Sequence, residues 1–323
     1  MLRFALFLLA SSLFAQHRLH TCLVTTKNWV VGARLLPSGV FARGPSGEWR
    51  QIGYNHPYVA GLDADPRRPG SLLLAAGNGL IRANGVGLDW TILTSWDVTE
   101  LRDVSAAADA IYFAHTAGVR VSRDGGKTWR ETAGSMSQRY AESVRADRSR
   151  AGRVVAGTVD GLWLSEDYGA TWKRSGAAGV SILRVEQSPH DPCRWLAASE
   201  RVGVFASSDC GRTFESSGDF GVARNLYDIS FDPTTPGRVA IAGWGPGVAV
   251  STDGGRAWKL RDRGLPSSDV WSLAFDPDHP GRLYAGVHEE ALYVSDDAGL
   301  TWRKDGLEGS IIYRMKFAPE AAR

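Results

Sequence analysis

Asp124 stands between Ser122 and Thr128 in the run VSRDGGKTWRE, so one short polar loop brings a carboxylate and two hydroxyls together. Such a group is either a catalytic or cation-binding device, which a protein needs once, or a piece of scaffolding, which it can use many times. The pattern Ser-x-Asp-x-Gly-x-Thr-Trp returns in full at Asp167 with Trp172 and at Asp297 with Trp302. It returns with one change at Asp209, where Phe214 ends the loop, and at Asp253 with Trp258, where Ala257 replaces the Thr. From Trp129 onward the terminal aromatics lie 43, 42, 44 and 44 residues apart, and similar steps backward reach Trp90 and Trp49 behind eroded copies. Seven copies favour folding over catalysis. The Asp can accept from backbone amides two or three residues ahead, Gly can take a conformation other residues resist, and the Trp can open a strand with its ring packed between sheets.

The elements that position these loops read the same way in each unit. In the last full one, VWSLAFDP, GRLYAGV, ALYVSDD and TWRKDGL are strand-length runs separated by Asp-Pro, Pro-Gly, Glu-Glu-Ala and Asp-x-Gly breaks. Outside the first residues no stretch shows helical periodicity, so the chain reads as all-β. Units of about 42 residues that cannot bury both faces alone must pack radially on one another. The expected fold is a seven-bladed β-propeller of four-stranded antiparallel blades, occupying 16–323.

The words Ser-x-Asp-x-Gly-x-Thr-Trp, LAFDP and LYAGV together resemble the Asp-box, or BNR repeat, propellers with seven blades. That group includes photosystem II assembly factor-like, sortilin-like and xyloglucan-hydrolase-like proteins, so the resemblance is specific for fold and implies several functions. Sialidases share the box, but resemble one another also in an early Arg-Ile-Pro word, an arginine triad on six blades and a Tyr-Glu nucleophile pair; no Arg-Ile-Pro occurs here. The xyloglucan-hydrolase resemblance would imply paired catalytic aspartates in a cleft between two propellers, and this sequence has length for one.

In a propeller the first strand of each blade lines the central channel. Aligning first strands on WSLAFDP puts Ala60, Arg102, Glu142, Leu183, Tyr227, Trp271 and Tyr313 at one level, and Gly61, Asp103, Ser143, Arg184, Asp228, Ser272 and Arg314 at the next. Two readings of this mixed set stay open: the charges pair with one another and plug the channel, or they form a ligand or peptide site. Loops on the same face offer Trp244 in GWGPGV and His288, Glu289 and Glu290 in VHEEAL as a recognition patch. The lone histidines do not make a metal site.

Residues 1–15 form a signal-peptide layout, with Arg3 before the apolar run Phe4 to Ala10 and a cleavage point near Ala15. Export to a periplasmic or extracellular location is expected, with no later segment apolar enough for a membrane span. An oxidising location favours a disulfide between Cys193, in the first hairpin turn of the fifth blade, and Cys210, in its Asp-box. The 37 Lys and Arg balance 35 Asp and Glu without long runs of one sign, which argues against nucleic acid as a partner.

The expected function is therefore a non-enzymatic exported scaffold, monomeric and without cofactor or metal, that binds a protein or other ligand on one propeller face. The alternative is a glycoside hydrolase or lectin that takes a glycan at the channel mouth. Closure of the ring falls to GSIIYRMKFAPE, whose Ile311 to Pro319 match the first-strand word. This strand is expected to dock beside NWVVGAR in the first blade, RLHTCLVTT being a poor copy of a first strand.

Overall fold

The computed structural model describes residues 17–26, 38–84, 89–132, 136, 139–218 and 224–320. These form seven four-stranded antiparallel sheets, each built from strands consecutive in sequence except one. The exception is the first blade, whose strands run Ser310–Pro319, His17–Thr25, Gly39–Arg43 and Trp49–Gln51 from the channel outward. The chain is a seven-bladed β-propeller closed by its own C-terminal strand.

Blade seven shows why these residues fold this way. Its second and third strands, Leu283–Val287 and Ala291–Ser295, are buried throughout, as sheets covered on both faces require. Its outer strand Arg303–Gly306 begins with exposed Arg303 and Lys304, charges that keep an open sheet edge from pairing with another chain. One apolar cluster fills each gap between neighbouring blades. Val250, Leu273, Tyr293 and Trp302 lie between the sixth and seventh blades, and Leu23, Tyr284, Ile312 and Met315 lie where the seventh meets the first.

The Asp-boxes occupy the end of the ring where third strands finish. Asp124 Oδ1 accepts from the amides of Lys127 and Thr128 at 3.0 Å each, and its Oδ2 accepts from the Thr128 hydroxyl at 2.6 Å. The amides therefore come from three and four residues ahead, one step further than an Asx-type turn reaches. Ser122 donates to Asp124 at 2.8 Å and accepts from Gly126 N at 2.7 Å. The bonds from the Thr amide and hydroxyl and the two serine bonds recur at Asp167, Asp209 and Asp297, and both amide bonds and the serine bonds recur at Asp253. Hydrogen bonds from Thr128 and Ser122 hold the Asp124 carboxyl well below the usual carboxylate range.

The box aromatics are not equivalent. Trp172, Phe214 and Trp302 are buried, whereas Trp129 and Trp258 are half-buried. Trp302 also donates from Nε1 to Arg261 O at 2.7 Å, tying the seventh blade to the sixth. Trp302→Ala should therefore destabilise the protein by about 3–5 kcal/mol, the cost of emptying a large aromatic site, and Trp129→Ala by less. Urea melts of both variants check the order.

The first blade differs from expectation in one respect. His17–Thr25 lies second from the channel, pairing with Gly39–Arg43 on one side and with Ser310–Pro319 on the other. It is no copy of a first strand, because the C-terminal segment fills that place; NWVVGAR, at 28–34, lies outside the described residues. His20, on this strand, is buried and its Nδ1 has no partner. Burial lowers its pKa to about 4. The unfolded chain takes a proton at His20 below about pH 6.5, while the native state refuses it until about pH 4. Stability is thus full above the first value and falls, by about 3 kcal/mol from this group, as pH drops to the second. Urea melts at pH 7.5 and 4.5 should show a smaller loss in His20→Gln.

In the fifth blade Cys193 is bonded to Cys210. The two turns meet in the same way in the fourth to seventh blades: Cys210 N donates to Cys193 O at 3.1 Å, as Tyr168 N does to Gly152 O, Gly254 N to Gly237 O and Ala298 N to Gly281 O. Cys22 is a free, buried thiol whose pKa burial pushes up.

Candidate functional site at the channel mouth

Strict strand alternation would let only every second residue of an inner strand face the channel. A β-bulge breaks that rule. The ladder to the second strand skips one residue between Val59 and Gly61, Ala141 and Ser143, Ile182 and Arg184, Leu226 and Asp228, and Val270 and Ser272. In the first blade it passes from Arg314 to Ile312. The skipped residues are Ala60, Glu142, Leu183, Tyr227, Trp271 and Tyr313, the level read from the alignment, and the bulge re-aims each into the mouth. The third blade reaches the same place without a ladder shift. Arg102 sits just ahead of its inner strand Asp103–Ala106 and is held by a bond from its amide to Ala114 O.

Below this level the channel is filled by charges. Arg184 reaches Asp103 at 3.1 Å, Glu186 at 2.6 Å and Asp228 at 3.3 Å. Arg145 joins Glu186 at 2.6 Å and Asp63 at 3.6 Å, and Lys316 meets Asp63 at 2.9 Å. Arg314 touches Asp228 at 3.4 Å. Four acids thus face four bases. The same carboxylates stitch the blades: Asp103 accepts from Val144 N, Asp228 from Leu273 N and Asp63 from Ala106 N, each in the next blade.

Burial opposes ionisation at Asp103, Glu186 and Asp63, but the surrounding cations outweigh it and hold all three carboxyls below their usual range. At Asp228 burial wins and the pKa is raised. Of the two readings of the lower level, the plug describes Asp103, Arg184 and Asp228.

The upper level stays open. A cavity of about 350 Å³ lies over the plug, lined by the aligned residues together with Tyr58, and Arg314 lines it too. One side is an aromatic collar. Tyr227 and Trp271 have ring centres 5.0 Å apart, Trp271 and Tyr313 5.9 Å, and Tyr313 and Tyr58 6.0 Å. The collar continues to the rim, where His288 lies 5.2 Å from Trp271 and 5.0 Å from Trp244. Trp244 is exposed. Glu289 occupies the tight turn beside His288 with φ of 54°.

The other side is ionic: Arg102 Nε donates to Glu142 at 2.8 Å, and the guanidinium also donates to the Tyr58 hydroxyl and lies over the Tyr140 ring. Burial opposes the charge on Arg102, yet Glu142 and Tyr58 raise its pKa.

Reading the sequence missed Tyr58 and Tyr140, which precede the inner strands, and the third channel level, Asp63, Arg145, Glu186 and Lys316. That level was legible: it lies two residues beyond Gly61, Ser143, Arg184 and Arg314, the ordinary strand period. Among the described residues no cluster of three or more His, Cys, Asp or Glu suits a metal ion.

Residues 120–131, which hold the Asp124 box, match the BNR/Asp-box repeat model. The chain is a seven-bladed Asp-box propeller. No curated protein matches it in sequence. Its fold is similar to that of the GH74 enzyme of Niastella koreensis, at a TM-score of 0.67 and 18% identity over 84% of this chain and 51% of that one. It is similar also to the GH74 xyloglucanase of Xanthomonas campestris, at 0.63 and 18%, over 80% and 46%. The propeller thus spans about half the length of these enzymes. YCF48 from Cyanidioschyzon merolae matches at 0.63 and 18% over 81% of this propeller and 89% of its own chain. A YCF48 structure bound to D1 peptide matches at 0.60 and 17%. No helix among the described residues is long and apolar enough to cross a membrane.

Proposed function

We propose that this Asp-box propeller is an exported, non-enzymatic binding scaffold that takes a segment of a partner protein at the channel mouth. One observation carries the reading: the mouth is an aromatic collar over a floor closed by ion pairs. Aromatic rings over a blind cavity supply contact area at low entropic cost. Glycosidic hydrolysis by the usual route needs two carboxyl groups across the scissile bond. Among the described residues lining the cavity Glu142 is the one carboxylate, and Arg102 holds it. The likeness to YCF48, whose structure has been solved with a peptide, supports the same reading at the level of fold. Export rests on the layout of 1–15.

The exposed Trp244 beside Trp271 favours a lectin as the second reading, since flat indole faces also stack on sugar rings. A single screen separates them. The purified protein is titrated against a library of peptides, against sialosides and against xyloglucan and other β-glucan oligosaccharides, with Trp271→Ala as control. Peptide binding lost in Trp271→Ala is the expected result. Glycan binding alone, or release of reducing sugar that Glu142→Gln abolishes, would overturn it.

A further inference from the structure

Arg314 and Arg184 are neighbours in the channel with unequal company. Arg184 has three carboxylates within 3.3 Å. Among the described residues Arg314, buried at 9% exposure, has only Asp228 Oδ1 at 3.4 Å and Tyr227 O at 3.5 Å, both at the limit of a hydrogen bond, and its Nε has no partner. Asp228 is shared with Arg184, so Arg314 has no carboxylate of its own. This under-satisfied guanidinium lines the mouth cavity. Trp271 lines the same cavity, and its Nε1 is buried and unpartnered. Donors left without acceptors in a buried place cost free energy, and here both belong to residues that border one open space.

Of the two guanidiniums that line the cavity, Arg102 is already held by Glu142, whereas Arg314 shares Asp228 with Arg184. The missing partner is an anion with two acceptor atoms, the shape a guanidinium binds through two parallel hydrogen bonds. The remaining lining is apolar or aromatic, with Tyr227, Trp271 and Tyr313 on one side and Leu183 and Ala60 completing the ring. The plug closes the far end, so a ligand enters from the mouth and terminates there. A cavity near 350 Å³ lies at the small end of ligand sites and suits an end group rather than a passing chain.

We propose that the channel mouth is a carboxylate-binding pocket: Arg314 at the floor and Trp271 Nε1 on the wall receive a free carboxylate, and the aromatic collar takes the apolar body that carries it. This deepens the scaffold reading and rests on it. The carboxylate has two possible sources, the C-terminus of a peptide chain or a free aromatic or aliphatic acid, and both present the same group to Arg314.

The test titrates the whole protein, by calorimetry and by NMR of the indole N–H signals, with N-acetyl-Leu-Phe as free acid, with the same compound as C-terminal amide, and with 3-phenylpropionate. The acid should bind about tenfold or more tightly than the amide, the loss of one charge-assisted hydrogen bond. Added salt should weaken it, and the Trp271 N–H signal should shift. Binding of 3-phenylpropionate as tight as that of the acetyl-dipeptide assigns a free acid as the ligand; clearly tighter binding of the dipeptide assigns a chain end. Arg314→Lys should reduce the preference for acid over amide, and Trp271→Phe, which lies above the plug and keeps the ring, should weaken the acid alone.

Equal binding of acid and amide overturns the pocket and leaves the scaffold reading standing. Binding of no probe by folded protein, while library peptides still bind and Trp271→Ala still abolishes that binding, does the same. Loss of peptide binding altogether removes both.

Discussion

Deletion of residues 309–323 is expected to abolish cooperative folding. The segment Ser310–Pro319 is the innermost strand of the first blade, paired with His17–Thr25 from His17 with Pro319 to Thr25 with Ser310. Its removal exposes an unpaired edge inside the ring and strips Ile312 and Met315 from the cluster that joins the seventh blade to the first. It also takes Lys316 from Asp63 and Arg314 from Asp228, leaving buried carboxylates short of partners. Each loss alone is worth a sizeable part of a typical domain's stability, so the truncated chain should aggregate and show no sharp thermal transition. Ile312→Ala, which leaves strand and plug in place, should cost about 2–5 kcal/mol. A truncated protein that melts like the full chain would show that the first blade stands without its inner strand.

The fold was legible because the Asp-box repeats. A loop that recurs every 43 residues or so reports its strand neighbours as well as itself, and the phase of WSLAFDP located two channel levels in every blade. What escaped detection lies where the repeat is imperfect or silent. The place of His17–Thr25 was misread because its inner partner comes from the other end of the sequence, and no local pattern records such a pairing. The half-burial of Trp129 against the burial of Trp302 depends on the neighbouring blade, so identical words gave different environments. The channel charges are not repeated at all. Asp63, Arg145, Glu186 and Lys316 differ from blade to blade because each answers a charge across the axis, which is why alignment could place the positions but not choose between plug and site. The outcome divides by depth: the level carrying Asp103, Arg184 and Asp228 is closed by pairing, whereas the bulged level carrying Tyr227, Trp271 and Tyr313 remains open.

Arg184→Met should destabilise the protein at neutral pH by at least about 3–5 kcal/mol, the cost of breaking a buried ion pair from one side. The deficit should be at the upper end, because one guanidinium serves Asp103, Glu186 and Asp228 together. Arg184→Lys should recover only part, since an ammonium cannot fork towards three carboxylates. The sign with pH follows from Asp103 and Glu186, whose carboxyls are held low in the native state. Their contribution is full above the unfolded carboxyl values near pH 4 and is lost as pH falls through the lowered native values. Without Arg184 the same carboxyls are free to take protons at higher pH, so acid relieves the variant of the charges that harm it. The gap between wild type and Arg184→Met should therefore narrow as the pH drops below about 4. Asp103→Asn and Glu186→Gln, added to Arg184→Met, should return much of the lost stability at pH 7, because neutral amides need no counter-charge. Urea melts of the series at pH 7 and pH 3.5 provide the measurement. A loss under about 1 kcal/mol at pH 7, typical of solvated pairs, would mean that water fills the channel and that the mouth has no closed floor.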